Sequence, residues 1–245
     1  MWSVWSERVD VYLGTGVVLV QRQGVPLWTF EPPATLPLGD VLRQVDLAQH
    51  RANSKPWRLH VHLSAALCPP VTFVVPAGVK RQEVRAIACA SASHVWNVPA
   101  EHAAEIVCSL DAGNQGLAAA MLQSTHRLIA QWAAEHKGLL VSLRPLWAAA
   151  TAAKACTDQQ VECVALLEPD ALTVLNLSPT GTAYTKSWVG RYGPVDALSS
   201  LAEMSDQAAE AQQSTGVAMA FNREPTQNVW VQGPSAWAKH WSVLS

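Results

Sequence analysis

The sequence is poor in charged residues, and it lacks both a long apolar run and a paired-cysteine motif. Only 15% of its 245 residues are charged and the formal net charge is −2, so we expect no basic surface for nucleic acid. No stretch approaches the ~20 consecutive apolar residues that a membrane-spanning helix needs. The opening residues, MWSVWSERVD, lack the basic segment and apolar core of a secretory signal. These absences predict a cytoplasmic protein.

The five cysteines are odd in number and widely spaced, and no CxxC pair occurs among them. This spacing fits neither a disulfide framework nor a zinc site. We interpret them as buried thiols that act as small apolar side chains. They are Cys68, Cys89, Cys108, Cys156 and Cys163.

Signature loops of common enzyme classes are also missing. The sequence contains no GxSxG elbow, no GxxxxGK[ST] loop and no GxGxxG segment, so serine-hydrolase, P-loop and dinucleotide-binding chemistry have no local basis. One alternative left open is an unrelated α/β enzyme that uses His60, His62 or a cysteine. His60 and His62 lie two residues apart on a predicted strand, so both imidazoles share one face and could share a metal. No third ligand lies nearby, and we expect no metal site.

Tryptophan is abundant instead, with 11 residues. Most of them are expected to fill the core. Trp237 and Trp241 are four residues apart near the end of the chain, a spacing that places them on one side of a helix. Because tryptophan is enriched at protein contacts, we predict that this pair packs against the fold or faces a partner.

The apolar pattern predicts an α/β (α+β) protein with mixed sheets flanked by helices. A three-strand meander (VDVYL, VVLVQRQ, PLWTF) is followed by a predicted helix over 39–51, and 116–138 predicts one long helix. A second meander (VECVALLEP, ALTVLNLSP, TAYTKSWV) is followed by a predicted helix over 194–213. The repeated pattern predicts two lobes, over residues 1–155 and 156–245.

Three segments resemble the actin-like proteins of bacterial envelope machines. These are the cytoplasmic domain of the type II secretion L protein (GspL family) and the type IV pilus M protein (PilM family). WRLHVHLSAALCPPVTFVVPAGVKRQEVRAIACASASHVW is similar to their strand–strand–helix unit, with its corner at Pro76-Ala77-Gly78-Val79. GLLVSLRPLWAAATAA is similar to the end of their first lobe, and VECVALLEPDALTVLNLSPTGTAYTKSWV to the start of their second. The resemblance implies an actin-like (ribonuclease H-like) two-lobe fold.

The same resemblance points to a nucleotide site and to departures from it. Nucleotide-binding actin-like proteins use two hairpins, whose carboxylates position Mg²⁺ and a water and whose glycine turns hold phosphates. Gly14, Thr15 and Gly16 match the first phosphate turn, but Tyr12 stands at the carboxylate position. The second hairpin has Glu168-Pro169-Asp170 without a glycine, and proline offers no N–H to a phosphate. A late glycine pair for adenosine is also missing. These departures argue against ATP hydrolysis.

The resemblance therefore implies a non-catalytic scaffold on the cytoplasmic side of a bacterial inner-membrane platform for type IV pilus assembly or type II secretion. Its partner would be a membrane-anchored platform protein that binds through a cytoplasmic tail, and a homo-oligomer is compatible with that role. No catalytic residue and no cofactor are expected. The alternative is an actin-like protein that binds ATP and Mg²⁺ at a degenerate site. Asp10 or Glu168 would then reach the metal through water.

Overall fold

The computed structural model describes residues 6–15, 17–22, 25–30, 36–51, 56–110, 116–135, 139–149, 163–178, 181–190 and 229–232. Gly16, Trp237, Trp241 and the predicted helix over 194–213 lie outside the described residues. Within them, no helix is long and apolar enough to cross a membrane. In chain order, the elements are β1 (Glu7–Leu13), β2 (Val18–Arg22), β3 (Val25–Phe30), α1 (Leu38–Arg51), β4 (Trp57–Leu63), β5 (Pro70–Thr72), α2 (Arg81–Val95), a 3-10 helix (Ala100–Glu105), β6 (Ile106–Leu110), β7 (Leu117–Leu122), α3 (Gln123–Glu135), β8 (Leu139–Pro145), β9 (Cys163–Leu167), β10 (Ala171–Ser178), β11 (Gly181–Val189) and β12 (Val229–Gln232).

The first sheet has five strands in the order β3-β2-β1-β4-β8. The opening meander is antiparallel, whereas β1, β4 and β8 run parallel to one another. Alternate side chains of β1 and β4 form one apolar core with α1 and α3, as the two-residue period of a strand requires. At the centre of this core, the indole N–H of Trp132 on α3 donates to the Asp46 carboxylate on α1 at 2.7 Å.

The second sheet repeats the start of the first. Its order is β11-β10-β9-β12, an antiparallel meander whose first strand, β9, pairs in parallel with β12. The first four strands of the other sheet, in the order β3-β2-β1-β4, have the same directions. The meanders that the sequence pattern predicted are therefore confirmed, and they are built alike. The lobe boundary at residue 155 stays a prediction.

A third sheet corrects one sequence prediction. The long helix expected over 116–138 is wrong in its first part, because residues 117–122 form strand β7 between β5 and β6, and α3 begins only at Gln123. Ala118 and Ala120 face a small core with α2, whereas Leu117 and Met121 face the other two cores. Pairing on both edges and burial on both faces outweigh the helix propensity of the alanines.

Cys68, Cys89 and Cys108 carry free thiols. Cys68 and Cys108 are buried, and Cys89 is partly buried. Burial, with a smaller contribution from the charge of Glu168, raises the pKa of the Cys68 thiol to about 12. Such a thiol stays protonated at neutral pH and packs as a small apolar group. The prediction of buried thiols is confirmed for Cys68 and Cys108, whereas Cys89 is only partly buried.

Candidate functional site

The turn of the first hairpin leaves the N–H of Thr15 outside the β1–β2 hydrogen-bond ladder. The Gly14 N–H donates to the Val17 carbonyl at 3.0 Å and closes the turn between β1 and β2. Gly14 is buried, whereas Thr15 lies at the exposed tip. Thr15 thus lies outside the strand ladder, and its N–H and hydroxyl can donate to another part of the fold.

The second hairpin carries two acidic side chains in its turn. The Glu168 N–H donates to the Ala171 carbonyl at 2.7 Å, which places Pro169 and Asp170 at the corner between β9 and β10. Acidic turn residues are ordinarily solvent-exposed. Here Glu168 is 1% and Asp170 is 4% exposed. Two buried acids at a turn therefore need hydrogen-bond donors from elsewhere in the fold.

The two hairpins meet through the Asp170 carboxylate. The Thr15 N–H and the Thr15 hydroxyl both donate to Oδ2, the hydroxyl at 2.8 Å. The Tyr12 hydroxyl donates to Oδ1 at 2.9 Å, and the Ser64 hydroxyl donates to the same oxygen at 2.6 Å. Ser64 follows β4, and its own N–H donates to the Leu13 carbonyl at 2.8 Å. Each carboxylate oxygen thus accepts two hydrogen bonds from residues at the ends of β1 and β4.

Glu168 lies beside Asp170 and has its own donor. The Ala65 N–H lies 3.3 Å from Oε1 and 3.1 Å from Oε2, and the Tyr12 hydroxyl lies 3.4 Å from Oε1. Burial, together with the negative charge of Asp170, raises the pKa of Glu168 well above its usual value. Because two adjacent buried carboxylates repel each other, the proton is held on Glu168.

Tyr12 is fully buried between the two acids. Burial raises the pKa of its phenol well above 10, and the charges of Glu168 and Asp170 raise it further. The phenol therefore stays protonated and serves as a hydrogen-bond donor. A tyrosine in the first hairpin is matched chemically to the two acids of the second, since it places a hydrogen-bond donor where a third acid would stand.

Apolar side chains fill the space around this cluster of polar groups. Tyr12 belongs to a core that contains residues from both hairpins and from the segment after β8. Trp147, in a helical segment over 146–149, donates its indole N–H to the Cys68 carbonyl at 2.8 Å. The buried members are Tyr12, Val17, Ala65, Leu117, Leu146, Trp147, Leu166, Ala171 and Leu175. Among the described residues, the contact between the two hairpins is therefore packed with apolar side chains.

Asp10 lies on β1, and His60 and His62 lie on β4, but none of the three contacts Asp170 in the hydrogen bonds described above. Asp10 accepts hydrogen bonds from Arg8 at 3.2 and 3.1 Å, and His62 Nε2 lies 3.5 Å from its Oδ1. Burial alone would raise the pKa of Asp10, but the contacts with His62 and Arg8 lower it below its usual value. His60 Nδ1 lies 3.0 Å from Ser142 Oγ. Burial, followed by the charge of Arg8, lowers the pKa of His60 and keeps the imidazole neutral.

The histidine pair forms no metal site with its described neighbours. Among the described residues, no group of three or more histidine, cysteine, aspartate or glutamate side chains is placed to hold a metal ion. His62 instead lies against Asp10, and His60 against Ser142. These contacts give each imidazole a hydrogen-bonding neighbour on the sheet.

The described part of the first hairpin, which does not include Gly16, holds the Asp170 carboxylate against the turn that the sequence resemblance matched to a phosphate. Both donors of Thr15 are engaged by Asp170, and a Cβ atom built on Gly14 would lie 2.6 Å from Asp170 Oδ2. A phosphate oxygen would have to take the place of that carboxylate oxygen. Asp10, the carboxylate that could reach a metal through water in the ATP-binding alternative, forms an ion pair with Arg8 at 3.1 Å.

Two donors of this cluster, Ser64 and the Ala65 N–H, escaped the sequence-based prediction. Their signal was weak, since both lie in a loop after β4 with no motif of their own. A stronger signal was the acidic pair of Glu168 and Asp170 in a turn between apolar strands. The burial of such an acidic pair can be predicted only when its hydrogen-bond donors are known. Here the donors lie more than 100 residues away in the chain.

Comparison with known proteins places this geometry in a fold class. A Bacteroides thetaiotaomicron protein with an actin-like ATPase fold and unknown function aligns over 97% of this chain and 95% of its own, with a TM-score of 0.56 and 8% identity. A chain of the PilM-PilN type IV pilus biogenesis complex aligns over 97% of this chain and 84% of its own, with a TM-score of 0.56 and 10% identity. The cytoplasmic domain of EpsL from the Vibrio cholerae type II secretion system covers 93% of this chain and 82% of its own, with a TM-score of 0.43 and 10% identity. No protein-family model matches the sequence, and no curated protein matches it significantly.

The protein has the actin-like fold. The first two similarities establish this, and they confirm the α/β architecture that the sequence resemblance implied. The PilM-PilN complex is among the structures with this fold, as that resemblance indicated. At these identities the likeness concerns the fold alone.

Proposed function

We propose that this protein is a non-catalytic, actin-like scaffold of an inner-membrane platform for type IV pilus assembly or type II secretion. The observation that carries the proposal is the closure of the two hairpins on Asp170. Where an actin-like nucleotide site would need free donors, Thr15, Ser64 and Tyr12 all donate to a side chain of the protein itself. When these donors form contacts within the protein, they do not bind nucleotide phosphates, and the fold is suited to binding other proteins through its surface.

The chemistry of the same cluster supports a role without catalysis. A nucleophile or general base must reach its substrate within hydrogen-bonding distance. Tyr12 and Glu168 are held protonated, and both are buried. Neither group is therefore available to take a proton from a substrate.

The partner in this proposal is a membrane-anchored platform protein that contributes a short cytoplasmic tail. The protein would lie at the cytoplasmic face of the inner membrane and be recruited through that tail. Similarity in fold to a chain of the PilM-PilN complex supports this class of partner. Self-association of the scaffold is a further part of the proposal.

Binding to such a tail is the direct test. We expect the purified protein to bind a peptide from the cytoplasmic tail of an inner-membrane protein encoded beside it, measured by fluorescence anisotropy of the labelled peptide. Replacing Trp237 or Trp241 with alanine should weaken association, because tryptophan is frequent among the residues that dominate interface energies. Thermal unfolding of each variant is the control: loss of folding would return that tryptophan to the core. No binding to any neighbouring membrane protein's tail would contradict the scaffold proposal.

Thermal unfolding with millimolar Mg-ATP separates the scaffold from the ATP-binding alternative. A ligand at about a hundred times its Kd stabilises the folded state by ~2.7 kcal/mol. For a chain of this size that corresponds to a rise in Tm of roughly 5–10 °C. We expect no rise, because the Thr15 donors are already engaged by Asp170. A saturable rise with Mg-ATP, absent with Mg²⁺ alone, would favour the nucleotide-binding protein.

A further inference from the structure

The Asp170 carboxylate is held as an oxyanion ligand would be held. Its partners are one backbone N–H from a glycine-flanked turn, two aliphatic hydroxyls and one phenol. Backbone N–H groups in turns and hydroxyl donors are the groups that proteins use to bind carboxylates and phosphates. The donors come from Tyr12, Thr15 and Ser64, whereas the acceptor comes from a hairpin about 155 residues further along the chain.

The turn also leaves space for this carboxylate at Gly14. A Cβ atom on Gly14 would lie 2.6 Å from Oδ2, 3.0 Å from Cγ and 3.1 Å from Oδ1 of Asp170. Gly14 does not have a positive φ, so its backbone does not require glycine. The missing side chain therefore makes room for the carboxylate against the backbone.

We propose that the first hairpin, with Ser64 and Tyr12, is an oxyanion site whose ligand is the protein's own Asp170 carboxylate. While the hairpins are in contact, this internal ligand excludes external oxyanions from the donors. Removing the carboxylate turns the same donors into a site for a small free oxyanion. This inference concerns the protein alone and holds or fails independently of any membrane partner.

Chemical rescue of Asp170→Ala tests the proposal. The truncation removes a carboxylate, and formate is the smallest free ion that restores one. We expect Asp170→Ala to unfold several degrees below the wild type in chloride. Formate at the same ionic strength should raise its Tm saturably and leave the wild type unchanged. Inorganic phosphate and Mg-ATP, tested in parallel, distinguish a site limited to a carboxylate from one that also admits a phosphate, free or in a nucleotide.

Two control variants separate binding at this site from general salt effects. Asp40→Ala removes a more exposed carboxylate on α1 and should show no formate-specific rise. Thr15→Val combined with Asp170→Ala removes a hydroxyl donor from the site, and the formate effect should fall several-fold. A folded Asp170→Ala protein that formate and phosphate stabilise no more than chloride does would overturn the proposal. Equal formate stabilisation of the wild type would overturn it as well.

A second measurement covers the case in which Asp170→Ala does not fold in chloride. Refolding in formate would then support the proposal directly. If the variant stays unfolded in both salts, the isosteric Asp170→Asn and Thr15→Val variants decide the question. Thr15→Val should lower the Tm by several degrees in the wild type and by much less in Asp170→Asn, because its partner is already weakened. Equal losses in both backgrounds would show that Thr15 does not act through Asp170 and would overturn the proposal.

Discussion

Gly14→Ala is expected to lower the free energy of unfolding by about 3 kcal/mol, which corresponds to a loss of roughly 6–12 °C in Tm. The added methyl group would lie 2.6 Å from Asp170 Oδ2. A side-chain end could normally move aside, but this carboxylate is fixed by donors from Tyr12, Thr15 and Ser64. Relief of the clash therefore breaks hydrogen bonds to a buried charge. Thermal and urea unfolding of the variant measure the loss.

Gly39→Ala is the matched control for this substitution. Gly39 lies in the first turn of α1, and a Cβ atom there meets nothing within 4 Å. Alanine at this position should leave the stability unchanged or raise it by up to ~1 kcal/mol. In an Asp170→Ala background, the cost of Gly14→Ala should largely disappear. An equal cost in both backgrounds would show that the glycine serves the turn and not the carboxylate.

Glu168→Gln is expected to stabilise the folded protein increasingly as the pH rises. Because the pKa of Glu168 is raised in the folded state, the folded protein binds more protons than the unfolded chain above the ordinary pKa of about 4.3. The wild type therefore holds this contribution fully below pH ~4.3 and loses it as the pH rises through the folded pKa, at up to ~1.4 kcal/mol per pH unit. Glutamine resembles the protonated acid at every pH and removes this loss.

Urea unfolding of both proteins between about pH 5 and 8 measures the difference. We expect the two stabilities to be closest at the acidic end and to diverge towards pH 8, with Glu168→Gln the more stable. The exposed Glu135→Gln, at the end of α3, is the control and should follow the wild-type curve. If Glu168→Gln also runs parallel to the wild type, Glu168 is ionised in the folded state, which would contradict the assignment of the proton to Glu168.

Much of the fold could be predicted from the sequence, because strand alternation and turn residues act locally. β1, β2 and β3 lie where alternating apolar residues and glycine turns predicted them. The failure at residues 117–122 has a physical cause. Alanine favours helix in isolation, and the run is continuous with α3, so nothing local marks the change at Gln123. Only the pairing with β5 and β6 decides that this segment is a strand.

The polar cluster around Asp170 could be predicted from the sequence only in part. Tyr12 and the acidic turn over 168–170 could be recognised as departures from a phosphate-binding pattern. That the departures are complementary to each other could not be recognised, since Ser64, in the loop after β4, meets Asp170 only when the second hairpin packs against the ends of β1 and β4. Spacing along the chain reports on neighbours within one element, whereas this contact spans 106 residues.

The three-stranded sheet has a consequence for where the chain can change in length. The chain enters this sheet at β5 and leaves it at β7. These two strands are neighbours, and the Ala120 N–H donates to the Pro69 carbonyl at 3.3 Å. One face of this sheet forms a core with α2, and β5 and β6 both pair with β7. Because β5 and β7 are paired, we expect insertions in the chain between them to leave the parallel strands of the first sheet in place. The donors and the acceptor around Asp170 lie outside this segment, in residues before β5 and after β8.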